Sequence, residues 1–103
     1  MIIDDYVEEI NEWAAERGLS GTSSDKQLNK LVEELGELAE GHNKQHEDQV
    51  IDSLGDMFVV MTIYCLQNNL SISDCIKTAV DTIKDRKGKT VDGVFIKEED
   101  LHD

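Results

Sequence analysis

Leu31-Val32-Glu33-Glu34-Leu35-Gly36-Glu37-Leu38-Ala39 sets apolar and acidic residues at helical spacing. Leu28, Leu31, Val32, Leu35, Leu38 and Ala39 form an apolar stripe, which predicts a helix over residues 25–45. Glu34 and Glu37 fall on neighbouring positions of one helix face, as do Glu33 and Glu37. A second acidic set follows, Asp52-Ser53-Leu54-Gly55-Asp56, where Asp52 and Asp56 repeat the four-residue spacing. It opens a predicted helix over residues 47–68, with Val50, Leu54, Met57, Phe58, Met61 and Cys65 in its stripe. Beyond Asp56 this helix is apolar on nearly all sides, so it is expected to be the central, most buried one.

Like charges at helical spacing repel, and no lysine or arginine stands between these carboxylates. A divalent cation reverses the sign of that repulsion. All-oxygen ligation points to Mg²⁺, with Mn²⁺ as the alternative. A Glu-x-x-His pair, as in di-iron bundles, is absent, because Ala39 and Asn43 stand three residues before His42 and His46. Zinc would call for histidine or cysteine ligands. Gly36 and Gly55 sit inside predicted helices, where each costs about 1 kcal/mol relative to alanine. Both are expected to permit a close helix–helix approach that joins the two acidic faces.

Outward from this pair, residues 4–17 form a first predicted helix, with Tyr6, Val7, Ile10, Trp13 and Ala14 at helical spacing. Gly18 ends it, residues 19–23 form a polar loop, and Ser23 or Ser24 caps the second helix. A fourth helix is predicted over residues 73–87, carrying Cys75, Ile76, Ala79, Val80 and Ile83. In Thr90-Val91-Asp92-Gly93-Val94-Phe95, an Asp-Gly pair lies between β-favouring residues, which reads as a short hairpin or else a loose arm.

The chain has 103 residues and a formal net charge of -13, from 23 acidic and 10 basic residues. Its length suits a single domain with a thin core, for which oligomerisation would cover more apolar surface. The charge disfavours nucleic acid and anionic membranes as partners. Cys65 and Cys75 show no metal-type pairing and are expected to be reduced, mostly buried thiols. The start, Met1-Ile2-Ile3-Asp4-Asp5, lacks the pattern of a signal peptide. The most apolar stretch, residues 57–66, is shorter than a membrane span, so the cytoplasm is the expected location.

Taken together, Glu33-Glu34-Leu35-Gly36-Glu37 and the following helix with Gly55-Asp56 resemble the MazG-type, all-α nucleoside triphosphate pyrophosphohydrolases, whose pattern is EExxE, a spacer, then ExxD. The resemblance extends over most of the chain, through Asn11-Glu12-Trp13, Lys30-Leu31 and Lys84-Asp85-Arg86-Lys87-Gly88, with residues 1–103 read as one domain, closest to the short phage and bacterial members. It implies a four-helix bundle with a short C-terminal arm or β-hairpin, assembled as a homodimer or homotetramer. It also implies Mg²⁺-dependent cleavage of a (deoxy)nucleoside triphosphate to monophosphate and pyrophosphate. The metal ligands it carries over are Glu34, Glu37 and Asp56. Ser53 stands where the pattern has glutamate, and Asp52, one helical turn from Asp56, is the candidate substitute. Glu33 is the candidate to deprotonate water. Lys30, Lys84, Arg86 and Lys87 are candidates to hold phosphate, and Asn11 and Trp13 to contact the base. A catalytically weak nucleotide-binding regulator and an acidic helical protein-interaction module are the competing readings.

Overall fold

A computed structural model describes residues 2–101. It contains four α-helices, α1 (Ile3–Glu16), α2 (Asp25–Asn43), α3 (Glu47–Gln67) and α4 (Ile72–Lys84), followed by strands β1 (Gly88–Val91) and β2 (Val94–Lys97). The fold is the expected all-α one with a small hairpin. The chain forms two compact units, Met1–Ser73 and Asp74–Asp103.

In the first unit, α1 begins with the Ile2 amide donating to the Asp5 carboxylate at 3.1 Å, half of a reciprocal cap. Gly18, at φ 73°, ends it as expected. The predicted loop contains a 3₁₀ turn, Leu19–Gly21, held by the Gln67 side-chain amide, which donates to the Leu19 carbonyl and the Thr22 hydroxyl, each at 3.0 Å. At the start of α2 the Ser23 hydroxyl accepts from the Asp25 amide at 3.3 Å.

α2 and α3 form an antiparallel pair, and α1 packs on α3. Central burial of α3 is borne out, since Ser53, Val60, Thr62, Ile63 and Cys65 are all buried on it. At 21 residues, α3 is long and apolar enough by length and composition to cross a membrane, although the run 57–66 alone is not. α1 and α2 both pack on it, and 28% of its apolar window is buried.

The glycine expectation is corrected. A Cβ at Gly36 or Gly55 would meet nothing within 4 Å. The close approach falls instead at Gly41, which is buried, and where a Cβ would lie 3.1 Å from Gln49 Cβ and 3.3 Å from Val50 Cγ2. Sequence spacing identified interior glycines, but which of them faces the partner helix depends on the rotation of α2. That rotation points Gln27, Leu31, Glu34, Leu38 and Gly41 towards shelter and leaves Leu28, Val32 and Leu35 exposed.

The second unit begins within α4, whose Ser73 still belongs to the first and donates to the Asp4 carboxylate at 2.9 Å. α4 stops at Lys84, short of its predicted end, because Lys87 is drawn into the hairpin and its carbonyl accepts from the Glu98 amide at 2.7 Å. The strands pair antiparallel, with Gly88 opposite Lys97 and Val91 opposite Val94. Asp92 and Gly93 turn at φ 51° and 80°, the left-handed pair that an Asp-Gly hairpin requires. Cys75, expected buried, is exposed on α4.

Candidate metal and phosphate site

Glu34 is the focus of the acidic residues. Its Oε2 is buried and has no hydrogen-bond partner. Burial raises its carboxyl above the ordinary carboxylate range, and the charges of Glu37 and Asp56 and a hydrogen bond with Glu37 act in the same direction. Lys30, one turn earlier on α2, opposes the shift. The structure therefore brings together Glu34 and Glu37 of α2, Asp56 of α3 and Lys30. Of these only Glu34 is partly buried; Lys30, Glu37 and Asp56 are exposed, as are Glu33 and Asp52 on the same two helices.

Two features hold this geometry. Antiparallel packing sets the first half of α3 against the second half of α2. The Gln49 side-chain amide then donates to the backbone carbonyl of Glu37 at 2.9 Å, which pins the start of α3 beside the acidic turn. Nothing in the sequence pattern marked Gln49, because its role depends on where the hairpin returns.

Ser53 is nearly fully buried, at 1% exposure, three residues before Asp56 on one side of α3. A small side chain thus occupies the interior where the pattern has a carboxylate, which leaves one acid fewer in the site.

Among the described residues, no three His, Cys, Asp or Glu side chains are disposed as a ready-made cage for a metal. Mg²⁺ does not demand one, since it keeps several waters and binds through one or two carboxylates plus substrate phosphates. The unpartnered Oε2 of Glu34 and the charges of Glu37 and Asp56 beside it, only partly offset by Lys30, fit a hard divalent cation by this criterion.

The other sequence candidates lie elsewhere. In the second unit, Arg86 and Lys87 line a cleft of about 530 Å³ with Thr82, Lys97, Glu98 and Glu99. Lys97, supplied by β2, was not foreseen because only the hairpin brings it back beside Lys87. Lys84 instead pairs with Asp81 at 3.1 Å. Trp13 is 46% exposed and rims an apolar groove of about 480 Å³ with Tyr6, Ile10 and Phe58. The Arg17 guanidinium lies 4.3 Å above its ring, a cation–π contact. Asn11 is half-buried, and its Oδ1 is buried without a partner.

Fold and cluster together define an all-α protein whose α2–α3 pair sets Glu34 among the charges of Glu37 and Asp56. Residues 22–91 match the MazG nucleotide pyrophosphohydrolase domain, and the chain belongs to that family. Members of the family are generally dependent on divalent metal. The matched range runs from the turn before α2 into β1 and leaves α1, with Asn11 and Trp13, outside it. Over 69 residues the chain is 42% identical to an uncharacterized 18.2 kDa protein in the rep-hol intergenic region of Haemophilus phage HP1. That alignment covers 66% of this chain but only 42% of the phage protein. No solved structure gives a significant match.

Proposed function

We propose that this protein hydrolyses (deoxy)nucleoside triphosphates to monophosphate and pyrophosphate, with Mg²⁺ or Mn²⁺ held by Glu34, Glu37 and Asp56. The observation that carries this reading is the buried, unpartnered Oε2 of Glu34 set among the charges of Glu37 and Asp56. Family membership supplies the reaction class.

A bound divalent cation supplies charge neutralisation of the phosphates and acidification of a water. Glu34, Glu37 and Asp56 would hold it, with Asp52 as a further candidate ligand from the same helix as Asp56. The exposed Glu33 carboxylate accepts the proton of the attacking water. Lys30 is the cation that the acidic cluster itself carries, and it holds a phosphate oxygen there. Arg86 and Lys87, with Lys97, form the anion-accepting cleft of the second unit, and Lys84 is a further candidate beside it. Trp13, beneath Arg17, is the exposed aromatic available for a base, with Asn11 as a polar candidate on the same helix.

Homo-oligomerisation belongs to this reading. Leu28, Val32 and Leu35 of α2 and Ile51 and Leu54 of α3 are all more than half exposed, a stripe that a second copy would cover. The acidic charge disfavours nucleic-acid and anionic-membrane partners, and a cytoplasmic location belongs to the same proposal.

The test is incubation of the pure protein with a panel of nucleoside triphosphates, with and without Mg²⁺. Release of pyrophosphate only with metal is the expected result. Metal-dependent binding without turnover would replace the enzyme by a nucleotide-binding regulator. Indifference to both would leave an acidic interaction module. Light scattering coupled to gel filtration reads the oligomeric state.

A further inference from the structure

Gln27 is a buried amide whose side-chain oxygen has no partner. It is only 7% exposed. A buried acceptor left unpaired costs stability, and leucine would fill an apolar interior better. Yet Gln27 lines a cavity of about 310 Å³ whose other walls, among them Leu31, Val60, Met61, Tyr64 and Ile72, are mostly apolar. Apolar walls with one fixed polar group are the usual make-up of a small-molecule pocket.

Its place relative to the acidic cluster gives the pocket a ligand. Gln27 lies two helical turns before Glu34 on the same side of α2, about 10 Å along the axis. Val60, on the opposite wall, lies one turn beyond Asp56 on α3. The cavity and the carboxylates therefore occupy successive levels of one interhelical seam. A nucleotide whose phosphates sit at Glu34, Glu37 and Asp56 spans that interval with its sugar, which brings its base to Gln27.

We infer that Gln27 reads the nucleobase, its side-chain oxygen accepting an N–H from the base edge inside the pocket walled by Leu31, Val60, Met61 and Tyr64. This rests on the reading of Glu34, Glu37 and Asp56 as the phosphate end of the site. Gln27 then takes the base-reading role in place of Asn11 and Trp13, since the groove beside Trp13 shares no wall with this pocket. The carboxamide also carries donors, so a base presenting an N–H beside a ring nitrogen can be held at two points.

The experiment is calorimetric titration, in Mg²⁺, of α,β-methylene analogues of the four deoxynucleoside triphosphates and of inorganic tripolyphosphate. Wild type, Gln27→Leu and the near-isosteric Gln27→Met are compared, with folding checked by circular dichroism. Wild type is expected to bind at least one analogue more tightly than tripolyphosphate and to rank the bases. Both variants are expected to lose about tenfold for the preferred base and to compress the ranking, the worth of one hydrogen bond, while tripolyphosphate binds all three proteins alike. Equal binding of analogues and tripolyphosphate by wild type, or an unaltered ranking in folded variants, overturns the inference. Base-selective binding without hydrolysis of genuine triphosphates retires the pyrophosphohydrolase reading alone and upholds the pocket. Hydrolysis without base discrimination does the reverse.

Discussion

The side-chain amide of Gln49 donates to the backbone carbonyl of Glu37 at 2.9 Å, across twelve residues of chain. It joins the first turn of α3 to the turn of α2 that carries the acidic cluster. Gly41, one turn on from Glu37, leaves the space into which Gln49 packs. The cluster is thus held by a neutral clamp beside it, and its own carboxylates oppose the packing.

Gln49→Ala removes that clamp. A loss of about 1 kcal/mol is expected, the net worth of one such hydrogen bond. Thermal melting read by circular dichroism should fall by about 4–8 °C, given the size of the chain. Metal-dependent turnover should fall with it, because Glu37 loses its fixed height against α3. An unchanged melting point would show that the bond contributes nothing.

Glu34→Gln is expected to stabilise the metal-free protein at neutral pH. The Glu34 carboxyl is held above its ordinary range by burial and by Glu37 and Asp56, so the folded state disfavours its charged form. Its destabilising effect is absent below the unfolded-state value, about pH 4, grows as pH rises through the folded-state value, and is complete above it. The variant's advantage should therefore vanish in acid. Mg²⁺ should raise the melting temperature of wild type and leave the variant's unmoved. A variant less stable at neutral pH, or still shifted by Mg²⁺, contradicts this account of Glu34.

Glu37→Gln tests the ligand set directly. It should abolish Mg²⁺-dependent pyrophosphate release while the far-ultraviolet spectrum stays native. Full activity in this variant removes Glu37 from the ligands.

The three helix glycines should separate cleanly. Gly36→Ala and Gly55→Ala meet open space and should each stabilise by about 1 kcal/mol through helix propensity. Gly41→Ala places a methyl 3.1 Å from Gln49 and should destabilise by about 1–3 kcal/mol through overpacking. Urea titration distinguishes the two directions. The same sign for all three would mean that the α2–α3 approach is not where the structure puts it.

Ser53→Glu restores the acid of the family pattern at a nearly fully buried position. Without metal it should lower stability by about 1–3 kcal/mol, the cost of burying a polar group without a partner. Mn²⁺ should recover that loss and bind more tightly than to wild type, as read by calorimetry. Stability unmoved by Mn²⁺ would place residue 53 outside the coordination sphere.

Much of the molecule was legible in the sequence. Apolar periodicity alone located the four helices to within a few residues, because burying an apolar stripe is the main driving force for a helix in a small domain. Asp92-Gly93 located the hairpin, because only residues tolerant of a left-handed backbone make that turn. Spacing also placed Glu34 beside Glu37. The end of α4 was misjudged because Lys87 pairs in the hairpin with a residue eleven positions away, a competition that no local propensity reports.

The sequence by itself determined which residues share a helix face, since that follows from a fixed turn per residue. Only the tertiary structure decided which face meets which. It turned Gly41 towards α3 in place of Gly36, set Gln49 against Glu37, and enclosed Gln27 and one oxygen of Glu34 without partners. Those outcomes depend on the rotation and register of α2 against α3. Rotation and register are set by summed side-chain packing across the seam, which no one-dimensional pattern contains.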